Sequence, residues 1–264
     1  MRFKMLAVDL DDSLLGKDKK ISKENLEAIK TAMSKGIIVT IATGRMFCSA
    51  EKFGRELDIN IPLITYNGAL IKETISGKIL VHKPLPLNIA KKIIELVSSK
   101  NVAVNTYIND KLYVEKISED IKNYAETYGV EAIPVGDLLE FMQHPPTKIL
   151  LIGSNEEINN IQSYLKGLFG ESVNLMKSQS TFLEITHPEA NKGAAVARLA
   201  GIYGIKREEV IAIGDSENDL SMIEYAGLGV AMGNASENIK KQADYVTTAN
   251  EESGVANVIK KFIL

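Results

Sequence analysis

The chain has 264 residues, of which 45% are hydrophobic and 25% are charged, values typical of a globular protein and not of a disordered or fibrous one. Its net charge of −3, from 31 basic and 34 acidic residues, comes without a dense Lys/Arg stripe, which argues against nucleic acid as a partner. No apolar stretch is long enough for a membrane span, and a single cysteine excludes an internal disulfide framework.

The cysteine usage and the N-terminal sequence predict a cytoplasmic protein. A lone cysteine is typical of reducing compartments. The first apolar run ends at Asp9, so it lacks the apolar centre of a signal peptide. Cys48 lies beside Phe47 in a predicted helix, which favours a packed thiol over a nucleophile. We expect a monomer that acts on a small molecule and has no membrane partner.

The first eighty residues alternate strands and helices in the manner of parallel βαβ units. Three apolar runs predict buried strands, at residues 5–8, 37–42 and 63–66. Between the first two runs, Ser22 is placed to cap a helix that ends at Gly36. Asn67-Gly68 predicts a turn after the third strand, and a hairpin follows around Gly77.

The alternation of single strands and helices ends around Pro84 and Pro86. The next hundred residues predict hairpins beside helices. The elements are a helix at 89–98, a hairpin over 102–114 turning at 109–110, a helix starting at Ser118, and further elements at 148–152, 158–168 and 182–186. After Pro188, strand and helix alternate again, with strands at 210–213 and 228–232.

This order predicts an α/β protein with two domains. The core is a Rossmann-like, doubly wound, mostly parallel sheet formed by residues 1–82 and 188–264. An inserted α+β cap domain at residues 83–187 interrupts it.

Carboxylates cluster directly behind the first strand. Asp9 and Asp11 follow the apolar run, with Asp12 and Ser13 beside them. Two such charges about 4 Å apart repel by roughly 4 kcal/mol at an effective dielectric of about 20. A positively charged group or ion should therefore lie among them. A polar turn would explain Asp12 and Ser13, but it does not explain why Asp9 adjoins the apolar run. The cluster predicts a cation site.

Three further stretches belong with this cluster, because the ends of parallel strands meet at one edge of a sheet. They are Thr43-Gly44 behind the second strand, Lys192, and residues 214–219 behind the strand at 210–213. In this order, and followed by the turn Gly233-Asn234-Ala235, the four stretches resemble the haloacid dehalogenase superfamily of phosphotransferases. Within it they are similar to the Cof-type sugar-phosphate phosphatases, which carry a C2-type cap.

The resemblance implies a Mg²⁺-dependent phosphatase of small phosphorylated metabolites, sugar phosphates foremost, that works through an aspartyl-phosphate. Asp9 would be the nucleophile and a metal ligand. Asp11 would be the general acid and base and would bind the metal through its carbonyl. For the acid step its pKa should lie above the free value of about 3.9. The cap would close over the ligand and supply specificity.

The other motif residues receive roles from the same resemblance. Lys192 would neutralise the nucleophile and the developing charge. The phosphate would be bound by Thr43, Gly44 and Asn218, and the metal also by Asp215 and Asp219. The charges support a metal independently, because four carboxylates face one lysine and a phosphate dianion could not enter unaided. Mg²⁺ fits such a site because it prefers hard oxygen ligands.

Some assignments stay open from the sequence. Arg45 either contacts the leaving group or forms a surface ion pair, and Asn67 either only makes a turn or also lines the pocket. Ser13 stands where the family usually has Thr, and Asp12 where Gly is common. Two other functions compete with a phosphatase: a phosphohexomutase of the same superfamily, and a phosphorylatable regulatory module that resembles a response-regulator receiver.

Overall fold

The computed structural model describes residues 2–58 and 62–264. They form two compact units, which are taken separately below. The discontinuous unit comprises Met1–Val81 and Asn191–Leu264, and the inserted unit comprises His82–Ala190.

The strands, numbered in chain order, are β1 Met5–Val8, β2 Ile38–Ile41, β3 Pro62–Thr65, β4 Leu70–Glu73, β5 Ile79–His82, β6 Ala103–Ile108, β7 Lys111–Val114, β8 Ala132–Pro134, β9 Lys148–Ile152, β10 Asn174–Gln179, β11 Phe182–Thr186, β12 Val210–Gly214, β13 Leu228–Ala231 and β14 Tyr245–Val246. The α-helices are α1 Lys23–Ser34, α2 Phe47–Glu56, α3 Leu87–Val97, α4 Glu119–Tyr128, α5 Leu138–Phe141, α6 Asn155–Phe169, α7 Lys192–Ile202, α8 Leu220–Tyr225, α9 Glu237–Gln242 and α10 Gly254–Phe262.

The discontinuous unit is built on a parallel sheet in the order β14-β13-β12-β1-β2. Strand β1 lies inside this sheet, between β12 and β2. Met5 and Ala7 pack in one apolar cluster with α7, while Leu6 and Val8 face the other way. All four side chains are buried, as expected for a parallel strand covered on both faces. The predicted Rossmann-like α/β class is confirmed.

The strand order favours a ligand site at the carboxyl end of β1. Its neighbours are β12 on one side and β2 on the other, so the chain leaves β1 where the strand order reverses. Strand β3 extends this edge, because Ala42 bridges Ile64 in parallel and the Thr43 amide donates to the Ile64 carbonyl at 2.9 Å. The polar residues behind β1, β2, β3 and β12 therefore share one edge.

Local signals in the sequence position the helices. The Ser22 hydroxyl accepts from the Asn25 amide and begins α1, and Gly36, with φ +85°, follows its end. Ser118 caps α4 in the same way, through the Ile121 amide. These predicted helix starts are confirmed.

The inserted unit contains a six-stranded sheet in the order β10-β11-β9-β6-β7-β8. Its pairs are antiparallel except for β7 with β8. The predicted β6–β7 hairpin turns at Asn109 and Asp110, which both adopt positive φ, as a two-residue primed turn requires. Helices α3 and α6 pack on one face of the sheet, against Ile149, Leu151 and Ile185 among others.

Three short elements, β8, β14 and α5, were not predicted from the sequence. Strand β8 has three residues and ends at Pro134, which removes an amide donor and argues against a strand unless it lies at an edge, as β8 does. Strand β14 has two residues, and α5 has four, both too short for a periodic pattern.

The expectation of a packed Cys48 is wrong, because that residue is exposed. Among the described residues, no helix combines the length and apolar character needed to span a membrane.

The start of α7 is held against α8 by a close approach of backbones. The Gly193 amide donates to the Ser221 hydroxyl at 3.0 Å, and a Cβ at Gly193 would lie 2.1 Å from the Ser221 carbonyl oxygen. Only glycine fits there without a shift of the backbone. At the other end of α7, Gly201 has open space around it.

These two glycines predict opposite effects of the same substitution. Gly193→Ala should lower the free energy of unfolding by about 1 to 3 kcal/mol through overpacking. Gly201→Ala should raise it by about 0.4 to 1 kcal/mol, because alanine restricts the unfolded chain and favours helix. Urea denaturation of both variants checks this. A Gly193→Ala protein as stable as its parent would contradict the packing described for α7.

Candidate active site

Asp9 leaves the end of β1 buried at the sheet edge. Its amide continues the strand pairing by donating to the Ile213 carbonyl at 2.9 Å, and the residue is only 4% exposed. The chain then makes a tight turn over Leu10–Leu14, with Asp12 at φ 59°. Asp and Asn tolerate this left-handed conformation better than most residues, so Asp12 has the turn role predicted for it.

Lys192 joins two buried carboxylates that lie far apart in the chain. Its ammonium donates to Asp9 Oδ1 at 2.6 Å and to Asp219 Oδ1 at 2.5 Å. All three residues are at most 4% exposed. Lys192 is the first residue of α7, whose N-terminus is capped by the Asn191 side chain through the Ala194 amide.

Asp219 also organises the loop behind β12. Its Oδ2 accepts from the amides of Asp215 and Ser216 at 3.0 and 3.1 Å. A Cβ at Gly214 would lie 2.4 Å from the Asp219 Cβ, so glycine is needed at the end of the strand. Asp219 therefore fixes both Lys192 and the position of Asp215.

Ser13 contacts one of the metal-ligand candidates, Asp215, although the sequence assigned it no role of its own. Its hydroxyl donates to Asp215 Oδ1 at 3.1 Å, and the residue is fully buried. The signal was present in the resemblance, since Ser13 keeps the hydroxyl of the usual Thr. The hydrogen bond orients Asp215 toward Asp9 and Asp219.

The site carries more negative than positive charge. Burial raises the pKa of Asp9, and the neighbouring Asp219 raises it further. Lys192 opposes these effects, but the net pKa lies well above the usual value. Burial and the charge of Asp219 raise the pKa of Asp215 to about 7. Burial lowers the pKa of Lys192, but Asp219 and Asp9 outweigh it and the net shift is upward.

This arrangement fits a metal ion. Asp9, Asp215 and Asp219 each offer a ligand atom, and these atoms lie within 4.8 Å of one another. One lysine cannot balance three carboxylates held this close, so a cation among them lowers the electrostatic cost of the site. The oxygen donors suit a hard divalent ion.

The proposed phosphate-binding residues come together beside the carboxylates. Thr43, which is 1% exposed, accepts the Asn67 amide with its carbonyl at 3.0 Å. A Cβ on Gly44 would lie 3.1 Å from Asn67 Oδ1, and Nδ2 of Asn218 donates to that same oxygen at 3.1 Å. Asn67, buried and at φ 54°, thus lies between Gly44 and Asn218. This geometry favours the interpretation in which Asn67 lines the pocket in addition to making the turn.

The surroundings of Asp11 differ from those that its predicted pKa requires. Arg45 donates to both of its carboxylate oxygens, from Nε to Oδ2 at 2.7 Å and from Nη2 to Oδ1 at 2.6 Å. Burial raises the pKa of Asp11, but the hydrogen bonds and the charge of Arg45 lower it by more. The predicted upward shift is therefore wrong for the free protein. Of the two roles left open for Arg45, the ion pair is present, with Asp11 as the partner, but it is not a surface pair because Arg45 is only 8% exposed.

A parallel sheet that ends in buried carboxylates paired with a lysine is the arrangement expected from the resemblance to the haloacid dehalogenase superfamily. The chain belongs to the haloacid dehalogenase-like hydrolase family, whose model matches residues 6–259. The resemblance seen in the sequence is confirmed.

Individual relatives agree with this membership. The chain is 32% identical to the 5-amino-6-(5-phospho-D-ribitylamino)uracil phosphatase YitU of Bacillus subtilis, over 98% of this chain and 97% of that protein. It is similar to a haloacid dehalogenase-like hydrolase from Bacteroides thetaiotaomicron, with a TM-score of 0.92 and 31% identity over 99% and 100% of the two chains. It is also similar to the subclass IIB sugar phosphatase BT4131, with a TM-score of 0.84 and 26% identity over 98% of each chain.

These relatives confirm the predicted enzyme class, a phosphoric monoester hydrolase of the haloacid dehalogenase type. Since YitU and BT4131 are named phosphatases, they favour an enzyme over the regulatory-module alternative.

The crowding of carboxylates predicts a stability effect of metal. Saturating Mg²⁺ should raise the thermal unfolding midpoint, by the equivalent of about 2.7 kcal/mol at a hundred times the dissociation constant. Asp215→Asn should abolish this shift. In EDTA it should be no less stable than the parent, because the amide oxygen still accepts from Ser13 while one repelling charge is gone.

The matched control is Asp12→Asn, which removes an exposed carboxylate from the same loop. It should keep the full Mg²⁺-dependent shift. An undiminished shift in Asp215→Asn would contradict the metal site.

Proposed function

We propose that the protein is a Mg²⁺-dependent phosphatase that hydrolyses small phosphorylated metabolites, sugar phosphates foremost, through an aspartyl-phosphate on Asp9. The observation that carries this proposal is the buried contact of Asp9 with Lys192 beside two further carboxylates. A carboxylate held in place at a sheet edge, away from water, is suited to nucleophilic attack at phosphorus.

In the first step, a carboxylate oxygen of Asp9 forms a bond to phosphorus while the bond to the leaving oxygen breaks, and its electron pair stays on that oxygen. Lys192 keeps Asp9 oriented and offsets negative charge as it accumulates. The Thr43 hydroxyl, the Gly44 amide and the Asn218 side chain would donate to the phosphoryl oxygens. Asn67 supports them by orienting the side-chain amide of Asn218.

The side chains of Asp9 and Asp215 and the carbonyl of Asp11 would hold the metal ion, with Asp219 as a further carboxylate at the site. When bound, a divalent cation offsets the negative charge of the carboxylates and the phosphate. Ser13 and Asp219 contribute indirectly, because they orient Asp215 through its side chain and its backbone amide.

Asp11 would carry the proton in both halves of the reaction. Arg45 keeps Asp11 ionised in the free protein, which suits its role as the base for the water that hydrolyses the aspartyl-phosphate. For the first half, a proton must reach Asp11 as the substrate binds. Phosphate monoesters lose their second proton near pH 6, so a fraction of the substrate brings that proton at neutral pH.

The relatives support the substrate class. YitU is named for a phosphorylated ribityl compound and BT4131 for sugar phosphates. Both substrates are phosphate esters of an alcohol that carries further hydroxyl groups. We propose the same class here, in a cytoplasmic and monomeric enzyme, with residues 83–187 as the cap domain and residues 1–82 and 188–264 as the catalytic core.

Asp9→Asn should abolish turnover, because an amide is a far poorer nucleophile than a carboxylate. Phosphate release from a panel of sugar phosphates and phosphorylated cofactors with Mg²⁺ should fall by at least about 10³-fold. Asp12→Asn should keep most of the activity. Mass spectrometry of acid-quenched parent protein should find one phosphoryl group on the Asp9 peptide. A fully active Asp9→Asn variant would refute the mechanism.

Asp11→Asn should discriminate between leaving groups. For sugar phosphates, whose alkoxide leaving group needs a proton, kcat/KM should fall by roughly 10² to 10⁴-fold. For 4-nitrophenyl phosphate, whose leaving group departs unprotonated, kcat/KM should change little. To separate a phosphatase from a phosphohexomutase, the products that the parent protein forms from a hexose phosphate are analysed. They should contain the free sugar and no isomerised sugar phosphate. Equal losses on both substrates would contradict the acid role.

A further inference from the structure

We propose that Arg45 is a positioning residue for the leaving-group step. Its guanidinium group fixes the orientation of the Asp11 carboxylate, so that proton transfer between Asp11 and the leaving oxygen occurs from a defined geometry. The inference rests on the proposed acid and base role of Asp11.

The contact between the two residues is a two-point fork. Nε and Nη2 of Arg45 donate to different oxygens of Asp11, at 2.7 and 2.6 Å. Such a paired contact fixes the plane of the carboxylate as well as its position. A carboxylate offers about four lone-pair directions, so Asp11 can keep the fork and still contact a leaving oxygen.

The burial of the pair is asymmetric. The Arg45 side chain is 6% exposed and the Asp11 side chain is 32% exposed. Arg45 therefore supports Asp11 from the protein side, while part of the Asp11 carboxylate remains accessible. This arrangement suits a group that must meet a substrate without losing its support.

Arg45 is itself held at several points. Its amide donates to the Thr43 hydroxyl oxygen at 3.1 Å, and its carbonyl accepts from the Tyr66 amide at 2.9 Å. Its guanidinium carbon lies 5.4 Å from the centre of the Phe53 ring, within range of a cation–π contact. These contacts connect the ends of β2 and β3 to the loop behind β1. The fork is thus preorganised by the same edge that carries the phosphate-binding residues.

A second cation near Asp11 serves as an internal comparison. Lys19 Nζ lies 3.6 Å from Asp11 and 3.7 Å from Asp12, and its side chain is 51% exposed. A flexible ammonium adds positive charge but cannot define an orientation at this distance. If charge alone mattered, Lys19 and Arg45 would act alike. If orientation matters, only Arg45 should affect the chemistry.

The test is Arg45→Lys, which keeps the charge and removes the fork. For a sugar phosphate, kcat/KM should fall by roughly tenfold to a hundredfold, part of the full effect of a general acid. For 4-nitrophenyl phosphate, kcat/KM should stay within about threefold, because its leaving group needs no proton. Lys19→Met should leave both values within about twofold of the parent.

A double-mutant cycle asks whether Arg45 acts through Asp11. Combining Arg45→Lys with Asp11→Asn should cost no more on the sugar phosphate than Asp11→Asn alone, since the supported group is already absent. Ethylguanidinium added to Arg45→Ala should restore part of the loss on the sugar phosphate only. The Mg²⁺-dependent rise in the unfolding midpoint verifies that each variant is folded.

Two results with Arg45→Lys would overturn the inference. Equal losses on both substrates with a raised KM would make Arg45 a phosphate-binding residue. Unchanged kinetics in Arg45→Lys would leave it without an effect on the reaction. If Asp11→Asn itself fails to discriminate between leaving groups, the acid role in the proposed function falls and this inference falls with it. Discrimination by Asp11→Asn but not by Arg45→Lys refutes the inference alone.

Discussion

The rest of the site depends on one interaction, the buried contact of the Lys192 ammonium with the carboxylates of Asp9 and Asp219. Removing one partner of such a buried pair leaves an uncompensated charge and typically costs about 3 to 5 kcal/mol. The fold is shaped to bring the three groups together. Gly193 lets α7 approach α8, and a Cβ on Gly68 would lie 2.4 Å from the Asn191 carbonyl oxygen. Glycines thus fix the position from which Lys192 reaches the end of β1.

Asp9 and Asp11 show how the surroundings of a side chain decide its chemistry. They are the same residue type, two positions apart, yet their pKa values move in opposite directions. Burial and nearby carboxylates raise the pKa of Asp9, whereas Arg45 outweighs the effect of burial at Asp11 and lowers its pKa. In the absence of a cation, burial and the neighbouring carboxylates therefore disfavour the ionised form of Asp9, whereas Arg45 favours the ionised form of Asp11.

Much of the fold could be predicted because its signals are local. Continuous apolar runs indicated β1, β9 and β12, and Ser22 and Ser118 marked helix starts through hydrogen bonds to amides three residues away. Strands β8 and β14 could not be predicted, since two or three residues carry no period. Their pairing depends on neighbouring strands of the sheet and not on their own composition.

The sequence by itself determined which residue types stand behind which strands, and hence the carboxylates, the lysine and the resemblance to a phosphatase family. Only the tertiary structure decided which of them touch. The bonds from Ser13 to Asp215, from Arg45 to Asp11 and from Asn218 to Asn67 join residues 202, 34 and 151 positions apart. Hydrogen bonds and pKa shifts depend on distance and burial in three dimensions, and a linear pattern contains neither.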